Sequence, residues 1–108
     1  MRVLIDACRP VQFKTHLPLA GVMTARELGW QLKKNGELLE AAQTRFDVLL
    51  TMDQGMPSQR HLAKFSIGLL IVRARSNRLA DLLPLVPEIL TAIAASKPGQ
   101  AVVVPRTD

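Results

Sequence analysis

The chain carries little with which to staple or ornament a fold. Its one cysteine, Cys8, excludes an internal disulfide. One cysteine and two histidines, His16 and His61, are too few and too scattered for a zinc site. No Cys–His pairing is legible, so no thiol nucleophile is expected. Tyrosine is absent, and one Trp and three Phe are too few for the stacking platforms by which single-strand binders hold bases. No apolar run approaches the roughly 18–20 residues that cross a bilayer, so no membrane partner is expected. The N-terminus enters a strand-like run after one arginine, without a signal-peptide cleavage pattern, and a reducing cytoplasm is the expected location. Internal repeats, linkers and low-complexity tracts are absent too.

What is present is a core. The 108 residues are 48% hydrophobic, rich in Leu, Val, Ile and Ala. That suits a single domain over residues 1–108 and excludes an intrinsically disordered chain. The formal charge is +5 and the isoelectric point is near 10.2. Such a balance favours contact with polyanions such as RNA, although net charge bears on association rather than on fold.

Apolar runs without alternation read as strands covered on both faces. They fall at residues 2–5, Gly21 to Thr24, Val48 to Thr51, Ile67 to Val72 and Ala101 to Val104. Between them lie helical stretches. One runs from Pro10 to about His16, and Leu17-Pro18 ends it. A second runs from Gly36 to Arg45 behind Asn35 as N-cap, with Leu38, Leu39 and Ala42 on one face. A short third starts at Pro57-Ser58 and reaches about Lys64. Beyond the polar loop at residues 73–78, Leu79, Leu82, Leu83, Val86, Leu90 and Ile93 recur at helical spacing. Pro84 and Pro87 should break that segment into a short and a longer helix. Alternating strands and helices predict an α/β fold: a three-layer α/β/α sandwich with a mainly parallel sheet of about five strands.

Two strands end on a carboxylate. Val3-Leu4-Ile5 runs into Asp6, and Val48-Leu49-Leu50-Thr51 runs through Met52 to Asp53. Carboxylates at the carboxyl edge of a parallel sheet sit where open α/β sheets bind ligands. Mg²⁺ or Mn²⁺ takes one or two such oxygens, with waters and substrate phosphate completing the shell. Each residue also has an ordinary reading, Asp6 as a helix cap and Asp53 as a turn cap. Asn35 is read as a helix cap or a metal-shell amide, and Glu37 as a first-turn carboxylate suited to the helix dipole or a third ligand. Arg73, Arg75 and Arg78 follow the fourth strand at the same edge. With Arg9 they form a candidate phosphate-binding set, or else they hold the carboxylates in salt bridges. Asp47 precedes its strand and belongs to the opposite, solvated edge. Trp30 with Leu28 is assigned to one side of the core, with a dimer contact as the alternative.

These segments, in order, resemble the PIN-like nuclease superfamily. The similar residues are Leu4-Ile5-Asp6-Ala7-Cys8-Arg9-Pro10, Glu27-Leu28-Gly29-Trp30, Lys34-Asn35-Gly36-Glu37-Leu38-Leu39, Phe46-Asp47-Val48-Leu49-Leu50-Thr51-Met52-Asp53 and Val72-Arg73-Ala74-Arg75. The closest likeness is to a short bacterial branch associated with toxin–antitoxin operons. The resemblance implies an acidic cluster binding Mg²⁺ or Mn²⁺ to cut RNA, with Asp6 and Asp53 in two of its places. The chain departs from that pattern at Ala7, where the branch often has Glu. It departs again at Asn35-Gly36, where an acid commonly opens the middle helix, and at Gly55, where Asp or Asn can follow.

Three whole-protein readings follow. The first is a metal-dependent ribonuclease of toxin type, in which Asp6 and Asp53 are catalytic and Glu37 or Asn35 completes the metal shell. The second is a non-catalytic module of the same fold that binds RNA or a protein such as an antitoxin. The third is a structural partner or homodimer associating through exposed Leu and Val of residues 79–93.

Overall fold

In the computed structural model, the described residues are 2–6, 17, 21–30, 32–33, 35–52, 62–73 and 78–104, with backbone alone for Asn35 and Leu79. Five strands form one sheet: β1 (Val3–Ile5), β2 (Val22–Thr24), β3 (Val48–Thr51), β4 (Gly68–Val72) and β5 (Ala101–Val104). Their order is β2-β1-β3-β4-β5, and every neighbouring pair is parallel. The α/β expectation therefore holds, and the sheet is parallel throughout. Its interior strands are apolar on both sides because both sides are covered.

Among the described residues the helices are α1 (Asn35–Ala42), α2 (Leu79–Leu82) and α3 (Val86–Ala95), with a 3₁₀ turn (Leu83–Leu85) between the last two. Pro84 and Pro87 each stand in the first two positions of the element they open, where a missing N–H breaks no bond. They divide the 79–95 segment as its sequence predicts. Asn35 is the first residue of α1 rather than its cap, and α1 stops at Ala42 instead of Arg45. The helix expected over residues 10–16 lies outside the described residues. So does most of that expected over 57–64, of which Leu62 is helical while Ala63 and Lys64 form a turn.

Two apolar layers flank the sheet. Val3, Ile5, Val48, Leu50, Leu70 and Val72 pack with Leu17, Leu82, Ile89 and Ile93 beneath α2 and α3. Leu4, Leu49 and Leu69 face the other way, toward Leu38, Leu39 and Ala42 of α1 and toward Phe46, Leu62 and Ile67. The period-2 alternation of a strand makes this division. Each fully buried Leu or Ile contributes about 1.5–3 kcal/mol.

The β2–α1–β3 and β4–α3–β5 connections advance in the same direction across the sheet but over opposite faces. Two such crossovers between parallel strands have opposite hands, so one departs from the usual right-handed rule. The departure lays α3 over Val48, Leu50, Leu70 and Val72, the apolar side that α1 does not reach.

The amino rim of the sheet is closed tightly. Arg2 N–H donates to Asp47 Oδ2 at 2.8 Å, so Asp47 is exposed, as expected, but tied to the start of β1. A side chain on Gly68 would begin 2.4 Å from Ser96 Oγ and 3.1 Å from the Lys97 carbonyl. Only glycine lets that loop lie so close to β4.

Candidate functional site

The register of β1 with β3 pairs Ile5 with Leu50, and Asp6 N–H donates to the Leu50 carbonyl at 3.0 Å. The next position along each strand is therefore Asp6 beside Thr51. Their side chains meet: Thr51 Oγ1 donates a short hydrogen bond to Asp6 Oδ2. Asp6 is 5% exposed and Thr51 is fully buried. Removing a carboxylate from water is costly without hydrogen bonds, and the Thr51 hydroxyl supplies one. Alternation sets both residues on the α1 side, following Leu4 and Leu49.

The pair sits where the strand order turns back. β2 lies on one side of β1 and β3 on the other, and the connections leaving β1 and β3 contribute Leu17 and Leu62 to opposite apolar layers. That is a topological switch point, the crevice where open α/β sheets place ligands. Asp6, Thr24 and Thr51 are the buried polar side chains among the described residues, and all three stand at carboxyl ends of strands.

Thr24 is held by a reciprocal pair of bonds. Its N–H donates to Glu27 Oε1 at 2.9 Å, and Glu27 N–H donates to Thr24 Oγ1 at 3.1 Å. This is the capping-box arrangement, written in the sequence as Thr24-Ala25-Arg26-Glu27. Reading for strands and helices alone missed it, although the spacing was legible. Thr51 went unremarked for a different reason. Its partner is 45 residues away, and only the register brings them together.

Of the other candidates, Arg73 directly follows β4 and is exposed, and its N–H donates to the Val104 carbonyl at 2.6 Å. By the alternation of Leu69 and Ile71 it falls on the α1 side of the rim, the side of Asp6. Arg78 is exposed and opens the crossover on the opposite face, where its carbonyl accepts from the N–H groups of Asp81 and Leu82. Glu37 lies in the first turn of α1, which begins at the carboxyl rim, and pairs with Lys33 at 3.8 Å. At 68% exposure that ion pair contributes little. Asp53, Arg9 and Arg75 lie outside the described residues, as does the side chain of Asn35. Trp30 is half-buried against the α1-side layer, and the Arg45 guanidinium lies 5.7 Å from its ring centre. The apolar side chains of the 79–93 segment face inward: Leu82, Ile89 and Ile93 are core, while Leu83 is exposed. Leu85, Val86 and Leu90 are partly buried against that core.

The donor chemistry fits a hard divalent cation. A carboxylate offers about four lone-pair sites, and the bond from Thr51 helps to fix the group's orientation. Oxygen ligands are what Mg²⁺ and Mn²⁺ select. Among the described residues, no three His, Cys, Asp or Glu side chains converge. Nor, among the described residues, is any helix long and apolar enough to cross a membrane.

Fold and site together define a small α/β protein with an all-parallel five-stranded sheet and a buried carboxylate at its switch point. No family model, curated protein or solved structure matches the chain.

Proposed function

We propose that the carboxyl rim at the β1–β3 junction is a divalent-metal and phosphate site, and that the protein is a metal-dependent ribonuclease of PIN-like type. One observation carries this reading: a carboxylate, Asp6, is buried and hydrogen-bonded at the switch point, where packing alone would favour an apolar residue. Asp6 and Asp53 would hold Mg²⁺ or Mn²⁺, with Glu37 or Asn35 completing the shell. Thr51 fixes the Asp6 carboxylate in one orientation. Arg73, with Arg9 and Arg75, would take phosphate oxygens of an RNA backbone, a role for which guanidinium forks are suited, while Arg78 opens the opposite face. Bound there, such an ion supplies activation of water and stabilisation of the leaving oxygen in phosphodiester cleavage. The toxin-type assignment, with an antitoxin partner, rests on the sequence resemblance alone.

The second reading is a non-catalytic module that binds RNA or protein with the same rim. Ala7, Asn35-Gly36 and Gly55 favour it, because they stand where the resemblance implies acids.

Titration of Mn²⁺ into the protein by calorimetry, beside the Asp6→Asn/Asp53→Asn variant, separates the two. The ribonuclease reading expects binding that the variant loses, and metal-dependent cleavage of single-stranded RNA that it loses as well. No heat at millimolar Mn²⁺ rejects the metal site. Metal binding without cleavage leaves the second reading.

A further inference from the structure

The two rims of the sheet differ in charge as well as in packing. Arg2, Arg45, Lys64 and Lys97 are exposed and stand at the amino rim, in the segments that lead into β1, β3, β4 and β5. Backbone hydrogen bonds join these segments. Asp47 N–H donates to the Arg2 carbonyl at 2.8 Å, Gly68 N–H to that of Asp47 at 2.9 Å and Gly99 N–H to that of Ile67 at 3.0 Å. Ser66 N–H donates to Gln43 Oε1 at 2.9 Å and so ties the Lys64 turn to the chain just beyond α1, near Arg45. A side chain on Gly99 would begin 3.3 Å from the Ala63 carbonyl, which sets the Lys97 loop against the same turn.

The acids lie mostly elsewhere. Asp6 and Glu27 follow the carboxyl ends of β1 and β2, while Glu37, Asp81 and Glu88 are in the first turns of α1, α2 and α3. Near the amino rim stand Asp47, whose Oδ2 accepts from the Arg2 N–H, and Glu40, whose position in α1 leans its side chain back toward the helix start. Among the described residues, no ion pair engages Arg2, Arg45, Lys64 or Lys97. Two of these cations are held by rings instead. The Arg45 guanidinium lies 5.7 Å from the ring centre of Trp30 and 5.9 Å from that of Phe46, and the Lys64 ammonium lies 5.4 Å from that of Phe65. A ring steers a cation without neutralising it, so the charge stays available to an anion.

We propose that the amino rim binds the phosphate backbone of a nucleic-acid duplex, independently of the metal site at the carboxyl rim. The row of cations crosses from β1 to β5, about 14 Å at the spacing of neighbouring strands, and so meets several phosphates of one duplex. Charge selects a polyanion. The lack of an apolar centre selects against a protein, because the exposed large apolar side chains among the described residues, Leu32 and Leu83, precede α1 and α3 at the other rim. The rings select against a single strand. Trp30 and Phe65 are half-buried with a cation beside each, and Phe46 is buried, so no platform remains for unstacked bases. A duplex keeps its bases stacked and its phosphates outside.

Fluorescence anisotropy of a short labelled RNA duplex, titrated with the full chain in EDTA between about 50 and 200 mM KCl, tests this. Four phosphate contacts predict that log K falls with log salt at a slope of about −3 to −4. Arg2→Gln, Arg45→Gln, Lys64→Gln and Lys97→Gln should each reduce that slope by about 1, and the combined variant should bind at least about tenfold more weakly. All four positions are exposed, so its circular dichroism spectrum should be unchanged. Arg73→Gln, at the carboxyl rim, should leave the slope as it is. EDTA removes divalent metal, so failure of the metal site leaves this result untouched. Absence of binding at about 50 mM KCl, or a combined variant that binds like the wild type, overturns the proposal. A loss that follows Arg73→Gln instead returns the contact to the carboxyl rim. Tighter binding of the single strand, or of polyglutamate, overturns the duplex as partner.

Discussion

At the amino rim of the sheet, the Ser96–Lys97 loop lies so close to β4 that only glycine fits at position 68. At the carboxyl rim, Asp6, Thr24 and Thr51 are buried polar groups held by side-chain hydrogen bonds. The first rim is shaped by close packing. The second keeps polar groups out of water, at a cost that apolar residues of similar volume would avoid. The carboxyl rim gathers three such residues, which is why the site is sought there, whereas the amino rim has the buried Ser96 hydroxyl against β4.

The contrast can be broken from either side. Gly68→Ala should have the largest effect, about 1–3 kcal/mol of lost stability in urea unfolding, because the new Cβ meets Ser96 Oγ and the Lys97 carbonyl. Adding Ser96→Gly should recover part of the loss, since it removes the nearer obstacle. If Gly68→Ala is neutral, the rim is looser than described.

Thr51→Val keeps the volume but removes the Thr51 hydroxyl from the Asp6 carboxylate. Leaving a buried group short of a hydrogen bond costs about 1–3 kcal/mol, and unfolding should show it. The same variant should bind Mn²⁺ more weakly, because the carboxylate loses its fixed orientation. Unchanged stability and unchanged metal binding would show the carboxyl rim's polarity to be idle. Thr24→Ala should cost about 1 kcal/mol through loss of one half of the capping box. It should leave Mn²⁺ binding intact, which separates a polar group that serves the fold from one that serves the site.

Much of this was legible in the chain. Continuous apolar runs located β3 and β5 to the residue and the other strands to within one position, because strands covered on both faces cannot alternate. Pro84 and Pro87 located the break before α3, since proline forbids the interior of a helix and suits its start. Asp6 was legible as a carboxylate at a strand end. Thr24-Ala25-Arg26-Glu27 was legible as a cap and went unread. The end of α1 at Ala42 was not legible, because helical propensity continues through Arg45 while the packed face stops.

Tertiary structure alone decided the rest. Nothing local to Asp6 or Thr51 announces the other, because their contact follows from β1 lying beside β3, and strand order is set by crossovers that no short window of sequence contains. The opposite hands of the two helical crossovers belong here too. By itself the sequence determined which segments are strands, where prolines divide a helix and that Asp6 stands at a strand end. These are local matters of backbone conformation and burial. Which of those ends meet and which face each helix covers depend on contacts between distant residues, which exist only once the sheet has assembled.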